Sequence, residues 1–252
     1  VDDLREGIIS RTDREKALDI SKEISDILKE KHEVYFDEIL NKYFSDSCYS
    51  RKAGDIDFLI SVGGDGTILK SVRRYRDTPI LGVNVGTIGY LSEINPDEIS
   101  YIPMILDNHK IEERTMISCK IGNKTVEALN DIVIRTEVAT RVSQVRVEIS
   151  DQEYIVSGDG VIITTPTGST AYSYSAGGPI IKTNSQEFGI TPICPLYRKA
   201  SPIVYPDNEN VIVTALDRPC TIVADGFPQG TMKPGDKIEI KKSTLKARFV
   251  KK

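Results

Sequence analysis

The 252-residue sequence has few residues of the types that build metal centres and disulfide frameworks. It contains two histidines and no tryptophan, and its four cysteines form no C-x-x-C pair: Cys48, Cys119, Cys194 and Cys220. Neither a zinc cluster nor a dense disulfide framework is expected, and we predict reduced thiols. His32 and His109 stand beside charged residues without H-E-x-x-H spacing, so we expect both at the surface. A carboxylate is therefore the expected general base.

Long apolar runs and an excess of basic charge are also missing. No apolar segment approaches the ~20 residues of a membrane helix. The first ten residues lack the basic flank and apolar stretch of a secretory signal. The formal charge of −4 argues against nucleic-acid backbone as the main partner, and we interpret the basic cluster from Lys70 to Arg76 as a solvated helix face. We expect a soluble, cytoplasmic protein with no membrane or nucleic-acid partner.

The first hundred residues alternate strand-like and helix-like segments. "GIIS" (7–10), "EVYFDE" (33–38), "IDFLISV" (56–62) and "PILGVNV" (79–85) are typical of strands. Apolar residues at helical spacing predict a helix within 11–31, with a capping box at Thr12 and Glu15. A second helix is expected after Thr67, ending before Pro79. This alternation predicts a parallel, Rossmann-like α/β domain, residues 1–108.

The pattern changes near residue 108. Short segments with a period close to two follow, separated by Gly, Asn and Asp turns, and convincing helices are scarce. Such a pattern predicts an all-β, sandwich-like second domain, residues 109–237.

The stretch "GGDGT", Gly63 to Thr67, places an acid between glycines at the end of a buried-looking strand. Glycines let phosphate oxygens approach the main chain, and a helix start offers free amides. An acid among such amides would repel phosphate unless it removes a proton or organises a metal, which favours phosphoryl transfer. The alternative is a structural turn in which Asp65 caps the helix.

Two later segments carry further polar groups. "TTPTGSTAYSYSAGGPII" (164–181) is rich in hydroxyls with little bulk, as a nucleotide site requires, although a polar surface loop would have a similar composition. In "ALNDIVI" (128–134), Asn130 and Asp131 interrupt a strand, either as a bulge or turn or as ligand-binding groups. Asp159 and Asp225 each precede glycine, and such D-G pairs most often mark tight turns.

Taken together, these motifs resemble the NAD kinase family, which uses ATP or polyphosphate to make NADP. The resemblance rests on "GGDGT", "GVNVGTIGYLSE" (82–93), "LND" (129–131), "SGDGVIITTPTGSTAYSYSAGGPI" (157–180) and "PICP" (192–195). These lie in order over most of the chain. "GGDGT" alone is weakly specific because lipid kinases look similar there, whereas the "TPTGSTAY" block is specific.

The resemblance implies a role for each matching residue. Asp65 would be the general base toward the 2′-hydroxyl of NAD. Phosphates would lie against Gly63, Gly64, Gly66 and Thr67. NAD contacts would come from Gly66, Tyr90, Asn130, Asp131, Asp159, Thr170, Ala171, Tyr172 and Ser175. The family's "LND" acid is more often Glu, so Asp131 has a shorter reach. The segment 238–252 would return to the first domain.

The implied activity is transfer of a phosphoryl group from ATP or polyphosphate to the adenosine ribose of NAD. A divalent metal such as Mg²⁺ would be held mainly by donor phosphates, with no residue assigned to it. The resemblance also implies a homodimer or homotetramer. Two alternatives are a lipid or other small-molecule kinase sharing the "GGDGT" turn, and a non-catalytic NADP(H)-binding module.

Overall fold

The computed structural model describes residues 4–44, 55–86, 89–138, 140–196 and 200–252. Cys48 and residues 87–88 of the "GVNVGTIGYLSE" motif lie outside the described residues. The chain divides into two compact units, Val1–Glu113 with Ala247–Lys252, and Arg114–Lys246. The domain limits inferred from the sequence stay a prediction. In the described part of the chain, no helix is both long and apolar enough to cross a membrane.

The first unit is a parallel sheet with helices. Its elements are β1 (Arg5–Ser10), α1 (Glu15–Leu28), β2 (Glu33–Phe36), β3 (Phe58–Gly63), α2 (Asp65–Arg74), β4 (Ile80–Asn84), α3 (Ile102–Asp107) and the end of β16 (Lys237–Lys251), with 3₁₀ turns at Glu38–Leu40 and Pro96–Tyr101. The strand order is β2-β1-β3-β4-β16, and all these pairs are parallel. Helix α1 buries Ala17, Ile24 and Leu28 because they share one face.

Three local expectations in this unit are wrong. Helix α1 begins at Glu15 without a side-chain cap, so Thr12 and Glu15 form no capping box. Helix α2 begins at Asp65, which places the acid of the "GGDGT" motif in its first turn. The side chain of His32 is only 9% exposed, because the His32 N–H bonds the Leu28 carbonyl after α1 and the ring lies against buried Glu6.

The second unit consists mainly of strands. They are β5 (Lys110–Ile121), β6 (Lys124–Ala128), β7 (Asp131–Thr136), β8 (Ser143–Ile149), β9 (Gln152–Gly158), β10 (Gly160–Thr164), β11 (Glu187–Ile193), β12 (Ile203–Pro206), β13 (Val211–Ala215), β14 (Cys220–Ala224), β15 (Phe227–Met232) and most of β16. A 3₁₀ turn, Gly168–Thr170, and the one-turn helix α4 (Tyr172–Ser175) follow β10.

These strands form two layers. One antiparallel sheet has the order β12-β11-β10-β7-β14-β15. The other layer has the order β16-β13-β8-β9, with β5 pairing with both β16 and β6. Side chains from both layers, such as Ile134 and Val147, belong to one buried cluster, as in a β-sandwich. The predicted fold class, a parallel Rossmann-like α/β layer plus an all-β sandwich-like part, is confirmed.

Two of the polar motifs lie where the chain passes from one layer of the sandwich to the other. Residues 129–130 connect β6 to β7, so "ALNDIVI" is a corner between two strands rather than a bulge within one. Asp159 connects β9 to β10 in the same way. Gly160 there has φ +145, and a Cβ would lie 2.1 Å from the Ile134 carbonyl oxygen. The tight-turn interpretation is therefore wrong for Asp159 and holds for Asp225, which joins β14 to β15.

Candidate functional site

The "GGDGT" turn leaves open space above its main chain. A Cβ built on Gly64 or Gly66 meets no atom within 4 Å, whereas one on Gly63 would lie 2.2 Å from the Thr67 Oγ1. Packing therefore requires glycine at position 63 but not at 64 or 66. In the first turn of α2 the Thr67 N–H donates to the Gly64 carbonyl at 2.9 Å, whereas the N–H groups of Asp65 and Gly66 precede the first intrahelical hydrogen bonds. These features suit the close approach of an anion to Gly64 and Gly66.

A cleft of about 360 Å³ adjoins this turn. It is lined by the end of β1 and the three residues after it, and by residues just before and within α2. These are Ser10, Arg11, Thr12, Asp13, Gly64, Gly66, Thr67 and Lys70. Strands β1 and β3 are neighbours, while the chain runs from β1 to β2 on the opposite side of β1. Open α/β sheets bind ligands at such a switch point, at the carboxyl ends of the strands.

Two cations of this cleft were not assigned to a site from the sequence. No sequence pattern singles out Arg11, and the pattern around Lys70 is typical of a solvated helix face. Their positions in the sequence could have indicated the cleft, because each residue follows the carboxyl end of a predicted strand. Asp13 holds Arg11 in place, with Nε–Oδ1 and Nη2–Oδ2 distances of 2.8 and 2.6 Å. The hydrogen bond from Arg11 lowers the pKa of Asp13 to about 2.

The carboxylate of Asp65 faces the loop after β4. Its Oδ2 accepts the Tyr90 N–H at 3.1 Å, and its Oδ1 accepts the Leu91 N–H at 3.1 Å. Gly64 occupies the position before the helix and makes no side-chain cap. Asp65 therefore orients the "GVNVGTIGYLSE" loop rather than capping its own helix. The side chain of Tyr90 is 73% exposed.

In the second unit, the "LND" motif is held by Asp225, for which the sequence predicts only a tight turn. The carboxylate of Asp225 accepts the N–H groups of Leu129, Asn130 and Asp131, at 2.8, 2.7 and 3.3 Å. Asp131 is buried, with only 5% of the residue exposed. Burial, and then the charge of Asp225, raises the pKa of Asp131 to about 7.

The "TPTGSTAY" block packs directly on the "LND" corner. Thr165 Oγ1 donates to the Leu129 carbonyl at 2.5 Å, and the Thr165 N–H donates to the Asn130 carbonyl at 2.9 Å. Gly168 is required here, because a Cβ would lie 2.1 Å from the main-chain carbonyl oxygen of Asn130. The contact brings Asn130 and Asp131 to the base of the segment that carries the remaining predicted residues, which are Thr170, Ala171, Tyr172 and Ser175.

This segment presents its polar groups outward. Thr170, Tyr172 and Ser175 are exposed, and Ala171 is half-buried. Beneath them, the Ser169 Oγ donates to the Pro166 carbonyl at 2.7 Å and accepts the Ile181 N–H at 3.0 Å. The buried serine thus fixes the loop from inside. Thr170 and Ser175 stay exposed, and their hydroxyls donate to the Thr167 and Ala171 carbonyls at 3.4 Å.

Asp159 lies at the other end of β10, but the chain after β10 folds back over this strand. The Asp159 N–H donates to the Ile193 carbonyl at 2.9 Å, and Ala176, directly after Ser175, packs against the buried cluster that contains Ile193. The structure therefore brings Asn130 and Asp131 to the base of the Thr170–Ser175 segment, and the end of this segment packs toward the Asp159 corner.

The described residues do not fit a metal centre made by the protein alone. Among them, no group of three or more His, Cys, Asp or Glu side chains could hold a metal ion. Both oxygens of Asp65 already accept backbone N–H groups. Mg²⁺ commonly uses one or two carboxylates together with substrate phosphates and water. No step of a reaction is therefore assigned to a cation held by the protein alone.

Comparisons with known proteins agree with this layout. Residues 7–107 match the family model of the ATP-NAD kinase N-terminal domain, and residues 129–252 match that of the ATP-NAD kinase C-terminal domain. The chain is 36% identical over 256 residues to the NAD kinase of Thermococcus sibiricus, covering 97% of this chain and 93% of that protein.

Two solved structures are similar to this chain. An NAD kinase from Archaeoglobus fulgidus in complex with ATP has a TM-score of 0.80 and 28% identity, covering 98% of this chain and 93% of that one. Yeast NADH kinase complexed with NADH has a TM-score of 0.88, covering 99% of this chain and 84% of that one. At 24% identity it supports the fold alone. From the two family models and the near full-length match to the Thermococcus protein, the chain belongs to the NAD kinase family of phosphotransferases.

Proposed function

We propose that this chain transfers the γ-phosphoryl group of ATP to the 2′-hydroxyl of the adenosine ribose of NAD, giving NADP. The observation that carries the proposal is the Asp65 carboxylate at the start of α2, which the Tyr90 and Leu91 N–H groups hold and which lies in sequence between two glycines that line the open cleft. The Archaeoglobus relative was solved with ATP, which supports ATP as donor here. Polyphosphate is the alternative donor.

In this reaction Asp65 accepts the proton of the ribose hydroxyl as the oxygen bonds to the γ-phosphorus. The bond between that phosphorus and the β-phosphate oxygen breaks, and ADP leaves. Phosphates would lie against Gly63, Gly64, Gly66 and Thr67, where the free amides at the start of α2 and the cations Arg11 and Lys70 would neutralise their charge. The backbone N–H groups of Tyr90 and Leu91 keep the carboxylate oriented.

NAD would be bound chiefly by the polar groups of the second unit. Thr170, Ala171 and Tyr172 would contact the adenine and its ribose, and Asn130, Asp131 and Ser175 the adjoining hydroxyls. Gly66 and Tyr90 would be further contacts. Asp159, whose N–H donates to Ile193 beside the end of the Thr170–Ser175 segment, would be a further NAD contact.

Three further features belong to the proposal. A divalent cation such as Mg²⁺ arrives with the donor phosphates. The enzyme acts in the cytoplasm. It assembles as a homodimer or homotetramer, which light scattering after size-exclusion chromatography measures. The lipid-kinase alternative is not favoured, because residues 129–252 match the ATP-NAD kinase C-terminal domain.

The test is NADP formation by the purified chain with Mg²⁺, using ATP or polyphosphate as donor and NAD or NADH as acceptor. An NADP-specific dehydrogenase reports the product, and phosphorus NMR identifies the phosphorylated hydroxyl. We expect 2′-phosphorylation of NAD with ATP. Binding of NAD without product from either donor would instead indicate a non-catalytic dinucleotide-binding module.

A further inference from the structure

We propose that Asp225 is a positioning residue for NAD, whose carboxylate fixes the main chain of the "LND" corner. The inference rests on the proposed function, since it concerns how that same site recognises NAD. Asp225 itself is not placed in contact with substrate.

The turn that contains Asp225 does not itself require an acid. Asp225 and Gly226 have φ values of +49° and +80° and form a two-residue connection between paired Ala224 and Phe227. Such hairpin turns accept Asn as readily as Asp at the first position. A need for the carboxylate must therefore come from what it contacts.

The contacts of Asp225 reach a distant part of the chain. Its Oδ2 accepts the Leu129 N–H, and its Oδ1 accepts those of Asn130 and Asp131. The Asp225 N–H in turn donates to the Asp131 carbonyl at 3.1 Å. All three donors need an acceptor oxygen, and an Asn side chain would offer an NH₂ group in place of one oxygen.

The fixed corner then supports the nucleotide-binding segment. With their N–H groups held by Asp225, Leu129 and Asn130 present their carbonyls to Thr165, and Asn130 also accepts from the Thr164 Oγ1 at 3.1 Å. Gly168 packs against the Asn130 main chain. A shift of the corner would consequently move both groups of predicted NAD contacts together.

The same geometry places two carboxyl groups, those of Asp131 and Asp225, near each other. Asp131 faces Thr164, which is uncharged, on β10 and Asp225 on the β14–β15 hairpin. Three N–H donors stabilise the charged form of Asp225. Burial, and then the Asp225 charge, raises the pKa of Asp131 to about 7. NAD affinity should therefore change with pH around this value.

The experiment compares Asp225→Asn with the control Asp217→Asn. Asp217 also accepts a backbone N–H, that of Gln144 at 2.7 Å, but it lies outside the proposed site. For Asp225→Asn we expect the KM for NAD to rise by about tenfold, because the variant loses one charge-assisted hydrogen bond. We expect kcat and the KM for ATP to change far less, and Asp217→Asn to behave as wild type.

The pH profile separates positioning from a general loss of structure. Calorimetric titration of NAD between pH 5.5 and 8.5 should give a midpoint that moves to lower pH in Asp225→Asn, because a neighbouring negative charge is removed. An unmoved midpoint, equal losses in kcat and both KM values, or the same change in Asp217→Asn would overturn the proposal.

A second variant covers the case in which Asp225→Asn does not fold. Asp131→Asn leaves the backbone N–H donors in place and removes the titrating group, so its NAD affinity should be independent of pH near 7. Retention of the wild-type pH dependence would overturn the proposal. Because NAD binding is measured directly, these outcomes remain distinct from a failure of the wild-type chain to form NADP.

Discussion

At the scale of single residues, two buried carboxylic acids stand where burial favours the proton-bound form. Asp131 belongs to the proposed NAD site, whereas Glu6 lies on β1 of the other unit. Glu6 is fully buried, and its Oε1 lies 3.6 Å from the Nδ1 of His32. None of the side-chain polar atoms of this pair makes a hydrogen bond. Such a pair costs stability once Glu6 is ionised.

Glu6→Gln is predicted to change how stability depends on pH. Burial, and then the charges of Asp57 and Asp107, raises the pKa of Glu6 from 4.5 to about 8. Because the pKa is higher in the folded state, the stabilising contribution is complete below pH 4.5 and is lost as pH rises through 8. The free energy of unfolding of wild type relative to Glu6→Gln should fall by up to about 1.4 kcal/mol per pH unit in this window.

Urea unfolding at pH 5 to 9 measures this difference, with Glu30→Gln as control because Glu30 is exposed at the end of α1. Glu30→Gln should keep the wild-type pH dependence. A constant difference between wild type and Glu6→Gln across the range would show that Glu6 has the same pKa in both states.

At the scale of elements, the turn from β3 into α2 contains one glycine that packing requires, Gly63, and one that only a bound ligand would require, Gly66. Gly66→Ala adds a methyl group where no atom lies within 4 Å, and alanine favours a helix over glycine by about 1 kcal/mol. We expect the free energy of unfolding to stay equal or rise. The KM for ATP should increase by about tenfold or more, because the methyl group occupies the approach of the phosphates.

Urea unfolding and steady-state kinetics with ATP and NAD check this prediction. An unchanged KM for ATP would mean that the donor phosphates do not approach Gly66. Gly63→Ala offers the contrast, since its Cβ would meet Thr67 at 2.2 Å and should destabilise the fold.

Elements with a clear period could be predicted from the sequence, whereas strands interrupted by proline or glycine could not. The strands β1 to β4 and helix α1 follow their apolar patterns. Strands β11, β12 and β15 do not stand out by such a pattern, and they contain Pro192, Pro206 and Pro228. Strands β12 and β15 are edge strands, and Pro192 lies beyond the part of β11 that pairs with β12. Proline is tolerated at such positions because no ladder donor is needed there.

At the scale of the whole molecule, the sequence indicated which residues bear the chemistry better than it indicated what holds them. Asp65, Asn130, Asp131 and the Thr170–Ser175 segment stand out by composition and motif. The acid that fixes the "LND" corner, Asp225, is 94 to 96 residues away along the chain, and no local pattern links the two. Arg11 likewise joins the "GGDGT" turn only when β1 and β3 become neighbours.

The proposed reaction is tested most directly by removing the charge of Asp65. Asp65→Asn should lower kcat for NADP formation by roughly 10²–10⁴-fold, the usual contribution of a general base. Calorimetric NAD binding and the melting temperature should stay near wild type, because the amide oxygen can still accept one of the two N–H groups. Asp26→Asn, on the exposed face of α1, is the control and should keep full turnover. Wild-type NADP formation by Asp65→Asn would contradict the assignment of Asp65 as the base.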